Sequence, residues 1–192
     1  MLILFFAPGS SSMAAHIMLH EVGAVFEARP LSFRSRENRA RNYLALNPEG
    51  KVPTLLIDGR PLTEVAAILF YLARRFPKAG LLPEDAEGEA RALSWMSYAA
   101  ATLHPARRGG LDRVIEVWSI AESHLAERSW VLNCYSVADI HVFRLFWRLN
   151  ASLRLAPDIF PNLLAHHDRM LSRPAVQRTL AIEAAIGYEL PT

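Results

Sequence analysis

The sequence predicts an α+β half followed by an all-helical half, and three observations carry that prediction. Short apolar, β-prone runs occur only in the first third of the chain, where they alternate with helical patterns. A stretch rich in proline and glycine, Phe76-Pro77-Lys78-Ala79-Gly80-Leu81-Leu82-Pro83, then interrupts the pattern. Beyond it the strand signals vanish and helical periodicity takes over. The 192-residue length suits two small domains, or one large one, with a core that needs no covalent staples.

The opening run Leu2-Ile3-Leu4-Phe5-Phe6 is continuously apolar, as a strand covered on both faces should be, and it stops at the turn signal Pro8-Gly9. Ser10-Ser11-Ser12 supplies N-cap residues for a helix beginning Met13-Ala14-Ala15-His16-Ile17, which Gly23 ends. Phe26-Glu27-Ala28-Arg29-Pro30-Leu31 reads as a second strand. A hairpin follows from Pro53 to Leu62, with Asp58-Gly59 as its tight turn. Thr63-Glu64 opens a helix whose Ala67, Ile68, Tyr71 and Leu72 recur at helical spacing. The order βαβ, connection, ββ, α matches a thioredoxin-like domain. Helices are expected over 84–103, 111–128, 136–154 and 161–172, with another beginning near Ala175. The expected division is a domain over 1–75, a linker over 76–86 and an all-α bundle over 87–192.

Composition excludes several classes. Some 52% of residues are apolar and 21% charged, so long disordered tracts are not expected. The net charge is +2, and the one basic cluster, Arg34, Arg36, Arg39 and Arg41, is offset by Glu37. That is a solvated face and not a nucleic-acid footprint. A single cysteine, Cys134, cannot build a disulfide framework, which fits a reducing compartment. No signal peptide and no membrane span are expected, so the expected location is the cytoplasm. His166 and His167 point about 100° apart on a helix and cannot chelate as an i, i+4 pair does; no metal site is expected.

At this stage the motifs become recognisable. Asn47-Pro48-Glu49-Gly50-Lys51-Val52-Pro53-Thr54-Leu55, then Leu62-Thr63-Glu64-Val65-Ala66-Ala67-Ile68, then Tyr71-Leu72, resembles the N-terminal signature of the glutathione transferases. Ser136-Val137-Ala138-Asp139 resembles that family's helical capping motif. Phe160-Pro161-Asn162-Leu163 and Arg173-Pro174-Ala175-Val176 resemble further landmarks in the expected order. The bacterial beta class is the nearest match, through Pro8-Gly9, His16, Thr63-Glu64 and Leu103-His104.

The resemblance implies a site. On the residues alone, Val52-Pro53 is a trans proline starting a strand, because only about 5% of X-Pro bonds are cis. The resemblance implies a cis bond, with the Val52 backbone pairing to the cysteinyl part of glutathione as an added strand would. Glu64-Val65 begins a helix, where free N–H groups favour an anion; there the resemblance implies a seat for the γ-glutamyl end. Val65 lacks the hydroxyl that family members often carry. The beta-class cysteine aligns with Ser11, while serine-type classes point to Ser10. Either hydroxyl would lower the thiol pKa of bound glutathione, together with the helix dipole. Ser11 is the first choice and Ser10 the alternative. His104 is either a further residue near the sulfur or a helix-end cap. The second-substrate pocket is expected to include Phe6, Leu103, Arg107 and Arg108. Ser97 matches a position that reaches a partner's glutathione, and the resemblance implies a homodimer with residues 95–103 near its axis. Ser136 and Asp139 are expected to cap a helix and not to form a site. The implied activity is a glutathione transferase that activates glutathione for attack on a small electrophile. The alternative is a non-enzymatic glutathione- or ligand-binding member.

Overall fold

The computed structural model describes residues 1–189. The chain forms two compact units, Met1–Phe76 with Pro174–Thr192, and Pro77–Arg173. The last helix therefore belongs to the first unit. This corrects the expected division, which placed everything from 87 onward in one bundle; residues 190–192 of that expectation lie outside the described residues. The physical reason is a buried polar bridge between the first and last helices, described below.

The first unit is built on a four-stranded sheet of order β2-β1-β3-β4. Strand β1 (Leu2–Phe6) pairs parallel with β2 (Phe26–Pro30) and antiparallel with β3 (Thr54–Ile57), which pairs antiparallel with β4 (Arg60–Thr63). A short helix α2 (Arg41–Leu44) lies in the connection to β3. The β3–β4 turn places Asp58 at φ 50° and Gly59 at φ 82°, the two left-handed residues that an Asp-Gly hairpin requires.

Helix α1 (Ser12–Glu21) is buried from Ser12 to Leu19, so it has no solvent face. Such a helix must be covered on all sides. Helix α3 (Val65–Arg75) and α8 (Pro174–Ile186) both pack against it. Gly23 at φ 64° follows α1, and its N–H bonds the His20 carbonyl at 3.1 Å.

The second unit contains α4 (Ala86–Tyr98), α5 (Gly110–Leu125), α6 (Val137–Leu153) and α7 (Pro161–Leu171). Its core gathers Trp118, Val142, Phe146, Leu149, Phe160 and Leu163. The expected linker is a folded part of this unit: Leu81 is buried and its carbonyl accepts the Val137 N–H at 3.0 Å. The expected continuous helix over 84–103 gives way to a π-turn over Ala99–Leu103, where the His104 N–H reaches the Ala99 carbonyl at 2.9 Å. Pro105 explains the widening, because a proline ring crowds the carbonyl four residues before it. At the start of α6 the expected box is present. The Asp139 carboxylate, fully buried, accepts the backbone N–H of Ser136 (2.9 Å) and of Val131 (2.7 Å), and Nε2 of His166 donates to it at 3.0 Å.

Candidate functional site

Strand register brings three separated segments to one end of the sheet. Phe5, near the end of β1, is paired with Thr54, the first residue of β3, and Thr54 is paired with Thr63, the last of β4. The residues that continue from these strand ends are Ala7 to Ser12 after β1, Val52-Pro53 before β3, and Glu64-Val65 after β4. Positions 40 or more apart in sequence thus leave neighbouring strands at the same end of the sheet.

The serine turn distinguishes its three hydroxyls. Ser12 is fully buried; its Oγ donates to the Ala7 carbonyl (3.2 Å) and accepts the Ala7 N–H (3.1 Å). Ser10 is 5% exposed, with Oγ 2.7 Å from Ser12 Oγ and accepting the Ser12 N–H at 3.2 Å. Ser12 has committed its own proton to Ala7, so Ser10 supplies the proton between the two oxygens. Ser10 Oγ thus takes the N–H of the first residue of α1, whereas Ser11, the N-cap residue, makes no capping bond through its side chain. Ser11 is half-buried and donates to the Val52 carbonyl at 3.2 Å. Ser11 and Val52 are the two expected site residues that the structure joins directly.

The Val52-Pro53 bond is cis, and both residues are buried. A polar cluster that sequence reasoning did not single out supports this loop. Tyr43, buried against Val52, donates through its hydroxyl to the Lys51 carbonyl, with Thr54 Oγ1 2.9 Å away. The Asn47 amide donates to the same carbonyl at 2.9 Å. Burial raises the Tyr43 phenol pKa, so it stays protonated as a donor. Gly50 has φ +62°, and a Cβ there would meet the Asn38 carbonyl oxygen at 2.7 Å, which explains the glycine in this motif.

Glu64 precedes α3 at φ 69°, a left-handed conformation that non-glycine residues seldom adopt. Such a conformation persists where the surrounding structure imposes it, and it concentrates at ligand sites. Glu64 is exposed and makes no capping bond through its side chain, so its carboxylate is not spent on its own helix.

The other expected residues are distributed differently. Phe6 is 1% exposed and packs on the His16 ring at 4.8 Å, so it is a core side chain of the first unit. Leu103 is likewise 1% exposed, within the core of the second unit. Neither presents a surface to a pocket. Ser97 lies exposed on α4, and His104, Arg107 and Arg108 are exposed after it, the arginines in a 3-10 turn over Pro105–Gly109. All four lie in the second unit. Sequence reasoning also missed Glu183. Its carboxylate accepts the Gly9 N–H at 2.7 Å and lies 2.9 Å from His16 Nδ1. No local pattern signals a partner 174 positions away.

A sheet of this order, with α1 and α3 packed together and an all-helical second unit, is a thioredoxin-like domain followed by a helical domain, and comparison with known proteins gives the family. The family model for the glutathione S-transferase N-terminal domain matches residues 1–74, and that for the C-terminal domain matches residues 66–174. The chain belongs to the glutathione transferase family. It is 31% identical over 201 residues to glutathione S-transferase GstA of Escherichia coli O157:H7, spanning 94% of this chain and 98% of that one. A sphingomonad glutathione S-transferase solved in complex with glutathione is 33% identical, with a TM-score of 0.87 over 95% of this chain and 98% of its own. BphK, a bacterial enzyme of the family solved as a ternary complex, is 28% identical with a TM-score of 0.88, covering 95% and 99%. Among the described residues no helix is long and apolar enough to cross a membrane.

Proposed function

We propose that this protein is a glutathione transferase that binds reduced glutathione at the end of the sheet and activates its thiol with Ser11. The observation that carries this reading is the register that gathers Ser11, Val52-Pro53 and Glu64-Val65 at one place. Glu64 faces the ammonium of the γ-glutamyl group, and the first N–H groups of α3 take its carboxylate. The Val52 backbone pairs with the cysteinyl residue. The thiolate then sits at the positive end of α1 and accepts the Ser11 proton, which turns to it from the Val52 carbonyl. Ser10 is the lesser choice, because it is buried and its hydroxyl both meets Ser12 Oγ and accepts the Ser12 N–H, whereas Ser11 is half-buried. No covalent protein intermediate is involved; rate comes from holding a charged sulfur beside an electrophile.

His104, Arg107 and Arg108 remain the candidates of the second unit for the electrophile's side, and Ser97 the candidate for contact across a homodimer. A detoxifying role in the cytoplasm follows the same resemblance. Glutathione is the co-substrate, and the reading calls for no metal.

The test is Ser11→Ala, followed by ultraviolet absorbance of the thiolate across pH at saturating glutathione. The midpoint should rise by about one to two units, the worth of one hydrogen bond to a charged acceptor. Conjugation of a chlorinated aromatic at neutral pH should fall by a similar order and partly recover at higher pH. Ser10→Ala should change neither. Unchanged titration in both variants and in the double variant would redirect the reading to a glutathione-binding protein without this chemistry.

A further inference from the structure

We propose that Glu183, on the last helix, is a positioning residue for the thiol-activating serine; this rests on the reading of Ser11 given above. Glu183 is fully buried, yet its two carboxylate oxygens are used separately. Oε2 accepts the backbone N–H of Gly9 at 2.7 Å, and Oε1 lies 2.9 Å from Nδ1 of His16, itself 1% exposed. Gly9, at φ 72°, is the pivot of the turn, two residues before Ser11. His16 lies on α1 and packs on Phe6, the last residue of β1, at 4.8 Å. One carboxylate therefore clamps the turn from α8, while its histidine partner rests against the strand that enters the turn.

A helix-to-helix contact is served as well by apolar side chains, because burying two ionisable groups costs as much as their attraction returns. Helix packing alone therefore gives no reason for a carboxylate here. Its bond to Gly9 does give one. The Ser11 hydroxyl must be aimed within a few tenths of an ångström to meet a sulfur, and supporting groups outside the contact set that aim. Inside the turn, Ser12 holds Ala7 and Ser10 holds Ser12. Glu183 fixes this assembly to the rest of the unit.

The experiment compares three proteins with the parent: Glu183→Gln, the pair His16→Leu with Glu183→Leu, and that pair combined with Ser11→Ala. The leucine pair removes both buried ionisable groups together, so no lone charge is left to prevent folding. Each is measured for melting temperature, for kcat and KM toward glutathione, and for the thiol midpoint of bound glutathione. In the leucine pair the midpoint should rise by about one unit and kcat at neutral pH fall about tenfold, with KM for glutathione within about threefold of the parent. Glu183→Gln should keep the parent midpoint, because its amide oxygen still accepts from Gly9 and its amide nitrogen can face His16. Added to Ser11→Ala, the leucine pair should produce no further shift. A leucine pair that melts lower but titrates like the parent overturns the proposal, as does a further shift in the Ser11→Ala background. If Ser11→Ala alone titrates like the parent, the reading of Ser11 fails and this inference falls with it. If only the leucine pair does, Ser11 stands and Glu183 is structural.

Discussion

Two fully buried carboxylates, Asp139 and Glu183, solve the same local problem in the two units by different means. Each accepts from backbone N–H at or just before the start of a helix, and each is paired with a buried histidine. Asp139 lies three residues from Ser136, the residue it caps, so the bond is made within one helical turn. Glu183 arrives from 174 residues away to hold the turn before α1. The first is a folding device that any capped helix can use. The second holds the turn that carries the proposed thiol-activating serine. The contrast separates what a helix start needs in order to form from what a site needs in order to be aimed.

That separation can be broken by experiment. Its largest expected effect is on Asp139→Ala, which strands the Ser136 and Val131 N–H groups and the His166 ring together. Loss of one partner in such a buried set costs about 3–5 kcal/mol, to be read by denaturant unfolding. The thiol midpoint of bound glutathione should not move; a shift as large as that of the leucine pair would erase the distinction between the two carboxylates.

A buried histidine without a carboxylate should behave in the opposite way. Among the described residues, Nδ1 of His141 finds no hydrogen-bond partner, and burial, with Arg144 and His104 adding to it, lowers its pKa to about 3. Its folded pKa lies below the unfolded value of about 6.5, so the unfolded state binds the extra proton. Its effect on stability is nil above pH 6.5 and becomes a loss as pH falls toward 3. The expected slope is about 1.4 kcal/mol per pH unit below 6, amounting to about 2 kcal/mol at pH 5. His141→Leu should flatten that part of the stability profile, and an unchanged slope would assign it to other groups.

The smallest effect sharpens the contrast within one motif. Ser136→Ala removes the hydroxyl of the capping box and leaves Asp139 in place, at a cost of about 1 kcal/mol in thermal or denaturant unfolding. A cost equal to that of Asp139→Ala would mean that the hydroxyl, and not the carboxylate, holds α6.

The same contrast explains what was legible in the sequence. The Asp139 box, the Asp58-Gly59 turn and the Gly23 helix end are patterns a few residues long, and the structure has each of them. The alternation of elements was legible because hydrophobic period and turn residues are local. Phe6 was misplaced because neighbouring side chains on a strand face opposite ways, and a continuously apolar run conceals which face is which. Phe5 is the half-buried neighbour, 5.5 Å from Tyr43, while Phe6 lies inside against His16. Leu103 faces the core of the second unit, a direction that its place beside His104 in the sequence does not signal. The Tyr43 and Asn47 cradle under Val52 and the reach of Glu183 to Gly9 depend on tertiary contacts, which no spacing rule encodes.

The placement of α8 also has a consequence for the order in which the protein is made. Residues 77–173 are contiguous, so the helical unit has all its own partners as soon as that stretch has left the ribosome. The sheet unit begins before that stretch and is completed after it: until Glu183 emerges, His16 and the Gly9 N–H lack the acceptor they meet in the finished fold. The nascent chain thus carries the β1 and α1 segment without its Glu183 acceptor throughout the synthesis of the helical unit.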